Sequence, residues 1–474
     1  MITYNDFLSR WTQGDTNYLI TVIEEFKMSD RFINAIEARK YFKGENTEIN
    51  KRLQLFRNGD GAQEVDIFIA NNKIANEFFK KIVMQENSYL LGNGVNIDEE
   101  IKKDFDRKFD TNFFKAGLDC LIDGVSWIYC YLDKDNKLNI TNWSGTDFIP
   151  LYDEETGEIM AGIRYWQLDD QKPLFVQLFE ADGVTTFKQV QNYLEVTKPK
   201  TNYIIKKEIV KGLSIEEEQQ EGFGVLPIFP LYANNLKESS LTKALKQKLD
   251  LWDIVISDFG NNLEDSKDLY WVLTNYAGQD IGEFLAEYKK YKVIQTDSEG
   301  SAEPKTIDVP YQARETILNI LKKEIFQSAM AMDTEELSNS NLTNVAIKSI
   351  MANLDLKTDD FEIQVLETLY DIVELWQNYS GNKQDFEIEL ERRTIINDTE
   401  VVNLIYTMRE DIDQETALKK NPLISPKEVK EIMERTEQEK SMYELDDIEE
   451  ETTPGDKQQD PFNQKPKDNK GFGK

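Results

Sequence analysis

The chain has no histidine, only two cysteines, and no apolar run as long as a membrane span. Without histidine neither a Ser-His-Asp nor a Cys-His nucleophile can form, and the usual zinc geometries are lost. Cys120 and Cys130 alone exclude a disulfide framework; both stand in apolar surroundings and read as inert core residues in a reducing compartment. No stretch reaches the roughly 18 apolar residues that span a bilayer, so no membrane partner is expected. "MITYNDFLSRWTQGD" lacks a basic region followed by an apolar run, so no signal peptide is expected. A GxxxxGK(S/T) phosphate loop is also missing, which excludes a motor ATPase of that class.

Basic residues are scarce too: 56 Lys and Arg against 88 Asp and Glu give a net charge of −32. Tight binding to the outside of a duplex needs a basic face, because phosphate neutralisation supplies most of the affinity. This balance argues against a repressor, a nuclease or a wrapping protein. It leaves room for a protein that surrounds DNA without sticking to it.

What is present is enough apolar surface for real cores, 40% hydrophobic with 11% aromatic, and a length suited to two to four domains on the usual size prior of about 100–200 residues each. The periodicities are of α+β type. Residues 15–41 read as one or two amphipathic helices with Leu19, Ile23, Phe26, Ile33 and Ile36 on one face, and "NNKIANEFFKKIVMQENSYLLGNG" repeats the pattern with Ile74, Phe78, Ile82 and Tyr89, stopping at Gly92. From Val125 the period becomes two: "VSWIYCYLD", "KLNITNW", "DFIPLYD", "EIMAGIRYWQL", "LFVQLFEA" and "VTTFKQV", split by turn clusters, predict an antiparallel sheet of hairpins. "SIEEEQQEG" reads as a solvated acidic stretch. From Lys237 to Ser266, Leu241, Leu245, Leu249, Trp252, Ile256, Phe259 and Leu263 step by three and four, predicting a helix about 45 Å long.

Residues 267–310 break that pattern with strand-like "LYWVLTNY", helical "IGEFLAEYKKY" and strand-like "KVIQTD" and "PKTIDV", a compact α/β insert. A second helix carries Ile317, Leu318, Leu321, Ile325, Ala329 and Met332, and a third spans 345–379 with a kink expected at "KTDD", Lys357–Asp360. Between them lies "DTEELSNSNLTNVA", a Ser/Asn strip with no Gly, Pro or basic residue. "ISPKEVKEIM" is a capping box, with Ser425 as cap, Pro426 first and Glu428 third. Beyond residue 440 the chain turns acidic and then polar, and a disordered tail is expected over 441–474.

Motifs for chemistry are weak. The GxG pairs at Gly92 and Gly222 lack a third glycine and read as turns. "DKDNKLNITNWS" begins like a calcium loop, but Lys137, Leu138 and Ser144 stand where a ligand, the turn glycine and the bidentate Glu belong, so a hairpin turn is the better reading. Carboxylate pairs such as Asp169-Asp170 and Asp359-Asp360 arise readily among 88 acidic residues and read as solvated faces. No catalytic residue, metal ligand or cofactor is expected, and no enzymatic activity.

The order of elements points further. "GFGVLPIFPLYANN", with Phe223, Gly224, Pro227, Ile228, Asn234 and Asn235, runs into a long helix carrying Asp250, Trp252, Ser257 and Asn261. Together with "NNKIANEFFKKIVMQENSYLLGNGV", "GLDCLIDGVSWIYCYLDKDNKL", "DFIPLYD", "DQETAL" and "ISPKEVKEIM", this resembles the portal proteins of tailed bacteriophages, the family typified by the portal of Bacillus phage SPP1. The likeness covers roughly residues 35–440. Two departures stand out: Ile396 replaces a proline common in relatives, and the strip has no lysine, although some portals place lysines there against DNA.

The resemblance implies a portal-type fold with long stem helices, an antiparallel β-containing wing, a small α/β clip insert and a helical crown. Residues 1–236 would be the wing, 237–266 and 311–333 the stem helices, 267–310 the clip, 334–344 a tunnel loop, and 345–440 a kinked tunnel helix and crown. It implies a ring, usually of twelve subunits, at the capsid vertex of the virion, assembled in the host cytoplasm. Double-stranded DNA would pass through it without sequence specificity during packaging and ejection. Terminase, the major capsid and scaffolding proteins and a head-completion adaptor would be its partners. The strip then becomes the tunnel loop, with Glu335, Glu336, Ser338, Asn339, Ser340, Asn341 and Thr343 facing DNA. Leu245, Leu249, Trp252, Ile256 and Phe259 would pack against neighbouring subunits. Two other classes remain: another ring-forming or adaptor protein of a virion or contractile machine, and a cation-dependent hydrolase acting through carboxylates.

Overall fold

The computed structural model describes residues 3–11, 16–53, 55–57, 63–65, 70–133, 136–191, 193–209, 216–265, 270–274, 301–305, 311–335, 343–394, 397–408, 411–425, 428–436 and 438. The expected tail, the "IGEFLAEYKKY" helix and the "KVIQTD" strand lie outside them. No described helix is long and apolar enough to cross a membrane.

The N-terminal part is helical: α1 (Tyr4–Trp11), α2 (Tyr18–Lys27), α3 (Asp30–Phe42) and the short α4 (Thr47–Lys51). Ser29 separates α2 from α3, its Oγ accepting from the Phe32 N–H as an N-cap. α3 turns Ala35, Ala38 and Tyr41 inward and leaves Ile33 52% exposed, against the expected face. Strands β1 (Leu55–Arg57) and β2 (Gln63–Val65) follow, and residues 70–77 lead without helix or strand into α5 (Phe78–Leu91), so Ile74, expected within that helix, precedes it and is 44% exposed. β3 (Asn96–Ile97), α6 (Glu99–Lys102) and α7 (Phe109–Asp123) follow. Gly124 ends α7 with φ +89°, where a Cβ would meet backbone at 2.9 Å, so only glycine fits.

The period-two runs are strands β4 (Val125–Leu132), β5 (Leu138–Ser144), β6 (Phe148–Tyr152), β7 (Ile159–Trp166), β8 (Phe175–Glu180) and β9 (Gly183–Val190). β10 (Tyr193–Thr201) joins β6 to β9 in a five-stranded antiparallel meander, ordered β10-β9-β8-β7-β6. β4 and β5 pair as an antiparallel hairpin with Leu132 opposite Leu138, and at its end Asp133 Oδ1 accepts from the Lys137 N–H at 2.9 Å. The acidic stretch is a strand: β12 (Glu216–Glu221) pairs with β11 (Ile204–Ile209), so backbone pairing recruits a segment that its composition assigns to solvent. β13 (Ile228–Tyr232), which starts directly after Pro227 and carries Pro230, completes a three-stranded sheet with β4 and β5.

Three cores result. α1 and α2 cover the five-stranded sheet through Phe7, Leu19, Val22 and Ile23 on Leu151, Ile163, Val176 and Phe187. Trp127, Trp143, Phe148 and Phe179 form an aromatic cluster where β4 and β5 meet the larger sheet. There Gly162 lets the Phe148 ring approach so closely that a Cβ would lie 1.9 Å from it. The largest core gathers α3, α5, α7, β4 and β5 around the long helices. It encloses Cys120 and Cys130, whose thiols burial pushes above their ordinary pKa.

The first long helix is α8 (Lys243–Asp265), about 34 Å long. It begins six residues later than expected. Lys237 has φ +58°, Ser239 Oγ donates to Ile122 O, and Thr242 Oγ1 accepts from the Leu245 N–H, so these residues serve as entry and cap. β14 (Tyr270–Thr274) pairs antiparallel with β15 (Ser301–Lys305), then come α9 (Tyr311–Ser328) and α10 (Asn344–Ser380). α10 runs without a break through Lys357–Asp360, because each polar residue there has a partner. Lys357 pairs with buried Glu86 at 2.6 Å, Thr358 donates back to Leu354 O, Asp359 meets Arg392 at 2.5 Å, and Asp360 accepts from Asn235. β16 (Ile388–Glu389) pairs with β3.

A second compact unit comprises residues 341–347 and 395–474. Within it lie α11 (Asp398–Thr407), α12 (Gln414–Lys420) and a helix over 428–436. Its last helix starts with the expected capping box: Ser425 N–H donates to Glu428 Oε2 at 2.8 Å and Glu428 N–H to Ser425 Oγ at 3.4 Å. Pro426 lies outside the described residues.

Candidate functional site

Two features carry the functional reading: the faces of α8 and the base of the loop after α9.

α8 changes character along its length. In its first two turns Leu245 and Leu249 are fully buried in the chain's own core. Further along, the buried side chains are polar: Asp253 is 0%, Ser257 1% and Asn261 5% exposed. They receive an extended segment, residues 70–77. The N–H groups of Asn76, Ile74 and Asn72 donate to Asp253 Oδ1 at 2.7 Å, Ser257 Oγ at 2.9 Å and Asn261 Oδ1 at 2.6 Å. The fit is one of periods: alternate residues of an extended chain advance about 6.7 Å, and four residues of helix about 6 Å. Asn46 and Asn76 also donate their side-chain amides to Asp253, and Arg52 pairs with Asp258 at 2.9 Å. Burial raises the Asp253 carboxyl, while the Asn46 and Asn76 hydrogen bonds work to keep it ionised.

On the other faces of the same turns the apolar residues stand out. Leu251 and Leu263 are 46% and 48% exposed, and Trp252, Ile256 and Phe259 are half-buried. Trp252 meets the Phe78 ring edge-on at 4.9 Å, and the Arg314 guanidinium lies 5.7 Å over Phe259. On α9, Ile317 and Ile320 are exposed as well. Of the five residues assigned to subunit contacts, Leu245 and Leu249 are therefore enclosed within the chain, while Trp252, Ile256 and Phe259 keep open surface.

The loop after α9 leaves a firmly closed helix end. Met330 takes the left-handed conformation, φ +51°, and the Ala331 and Met330 N–H groups reach back to Phe326 O and Gln327 O, a Schellman motif without glycine. Gln85 grips the next residue through both ends of its amide, donating to Met332 O at 3.1 Å and accepting from Met332 N–H at 3.0 Å. Lys322 then pairs with Asp333 at 3.0 Å and Glu335 at 2.5 Å. Partial burial works against its charge, but the hydrogen bonds to Glu335 and Asp333 hold the ammonium above its ordinary pKa. Glu336, Ser338, Asn339, Ser340 and Asn341 lie outside the described residues. In the second unit Thr343 caps α10, its Oγ1 accepting from the Ala346 N–H at 3.3 Å. Next to it Asn344 N–H donates to Glu400 at 2.7 Å and Asn344 Oδ1 accepts from Asn397 N–H at 2.7 Å.

Sequence reasoning found Asp250, Ser257 and Asn261 only as marks of a resemblance; Asp253 and Lys322 it missed. The available signal was the spacing of Asp253, Ser257 and Asn261, a polar stripe at helical period beside the apolar one.

Comparison with known proteins agrees with the element order. The family model described as "Phage portal protein, SPP1 Gp6-like" matches residues 27–442. A portal protein of Clostridium phage phiCD119 is 28% identical over 395 residues, covering 75% of this chain and 84% of the relative. The portal protein of Bacillus phage SPP1 is 24% identical over 453 residues, covering 91% of this chain and 88% of the relative. The chain belongs to the SPP1 Gp6-like family of phage portal proteins.

Proposed function

We propose that twelve copies of this portal protein close into a ring at one capsid vertex, and that double-stranded DNA is packaged and ejected through its centre. The observation that carries the ring is the exposed apolar side of α8. Trp252, Ile256, Phe259 and Leu263 share one side of α8, Leu251 stands about a third of a turn away, and with Ile317 and Ile320 of α9 they leave more apolar surface than one copy covers. The net charge of −32 supports a conduit: an acidic lumen releases few counterions from DNA, so the duplex slides.

In this reading residues 1–236 form the wing, 267–310 the clip that docks terminase and later the head-completion protein, and 345–440 the tunnel helix and crown. Residues 334–344 form the channel loop. Scaffolding and major capsid proteins surround the ring during assembly. Negative-stain microscopy of the purified chain is expected to show rings with a central hole; monodisperse single copies would contradict it. Deleting Ser338–Asn341 is expected to leave the ring intact and abolish packaging or DNA retention, whereas normal packaging would remove the channel-loop assignment. A chain ending at Tyr443 is expected to assemble and melt like the full chain.

A further inference from the structure

We propose that Lys322 is a positioning residue for the channel loop, its ammonium holding Asp333 and Glu335 until a phosphodiester of the passing duplex takes the place of Glu335. The inference rests on the channel reading above. Its ground is the contrast between two successive anchors. Gln85 fixes Met332 by two hydrogen bonds to backbone. One residue later the chain is tied back to α9 through the Lys322 ammonium, which pairs directly with two carboxylates.

Those carboxylates differ. The Lys322 and Asp333 side chains are only 18% and 16% exposed, whereas that of Glu335 is 80% exposed. Asp333 therefore keeps the ammonium in place and also accepts the Glu335 N–H at 3.1 Å, while Glu335 reaches the same ammonium from the solvent side. A phosphodiester matches the Glu335 carboxylate in charge and in accepting N–H donors, and a lysine offers three of them. An ion pair with one arm in water favours the closed form by about fivefold at most, so the closely spaced phosphates of a duplex compete with it. Release of Glu335 then removes one tie from the start of the loop, while the Asp333 and Gln85 hydrogen bonds stay in place. The loop would respond to DNA without a lysine of its own.

Hydrogen exchange at the Glu335 amide, in full-chain rings checked by sedimentation, tests this. In the Lys322→Gln ring exchange should be about fivefold faster than in wild type, and in Lys322→Arg, which keeps both carboxylates bound, unchanged. A short blunt-ended duplex at constant ionic strength should speed exchange in wild type and leave Lys322→Gln as it was. Equal exchange in Lys322→Gln and wild type would overturn the positioning role. A wild-type ring indifferent to the duplex would overturn the exchange with phosphate. A wild-type chain that forms no ring would instead contradict the portal architecture on which the inference rests.

Discussion

The first two turns of α8 and the turns that follow bury opposite kinds of residue. The first two follow the conventional rule, with Leu245 and Leu249 enclosed and Lys243 and Gln247 exposed. From Leu251 onward the rule inverts, with Asp253, Ser257 and Asn261 enclosed and Leu251 and Leu263 exposed. Burying polar groups costs free energy unless each is hydrogen-bonded. Here the backbone of residues 70–77 supplies the partners. An amphipathic helix that spends its polar face on its own chain leaves its apolar face for another. In the proposed ring, the inversion would separate the residues that hold the subunit together from those that hold the assembly.

The sharpest way to break this comparison is to charge the outward face. Replacing both Leu251 and Leu263 with Asp should abolish the ring in sedimentation, yet shift the unfolding free energy of the single chain by less than about 0.5 kcal/mol, as surface changes do. Replacing Trp252 with Asp should also abolish the ring but additionally weaken the subunit, because Trp252 packs on Phe78. Asp253→Leu acts on the other face. It strips partners from the Asn76 N–H and from the amides of Asn46 and Asn76, and should destabilise the chain by about 3–5 kcal/mol in denaturant. Leu249→Ala, in the conventional first turns, should cost about 2–5 kcal/mol by leaving a cavity. Thr242→Ala removes the cap on Leu245 N–H and should cost about 1 kcal/mol.

What was legible in the sequence is what depends on local period. The hairpin strands from Val125 to Val190, the third long helix and the Ser425 capping box fall where alternation, helical spacing and cap chemistry place them. What was illegible depends on a partner distant in sequence. The polar stripe of α8 makes sense only beside residues 70–77, and Ser257 lies 183 positions from Ile74. Likewise the polar residues of Lys357–Asp360, where a kink was expected, find partners in Glu86, Asn235 and Arg392, contributed by three other segments. The strand β12 was not legible for the same reason, since it forms by pairing its acidic segment with the backbone of β11. The loop base was half legible. Glu335 was visible as a charge in the strip that the resemblance makes a tunnel loop, but the cation that holds it, Lys322, sits on the preceding helix, where only the fold brings the two together.

The central claim is that the outward apolar side of α8 and α9 is covered by the next copy. Hydroxyl-radical footprinting measures that cover residue by residue, comparing the wild-type assembly with the Leu251→Asp, Leu263→Asp chain. Ile317, Ile320 and Phe259 should be oxidised several-fold more slowly in the assembly, while Leu168, 82% exposed in the turn after β7, serves as the reference for the labelling dose. Equal oxidation of Ile317, Ile320 and Phe259 in a wild-type ring and in the single chain would contradict the account.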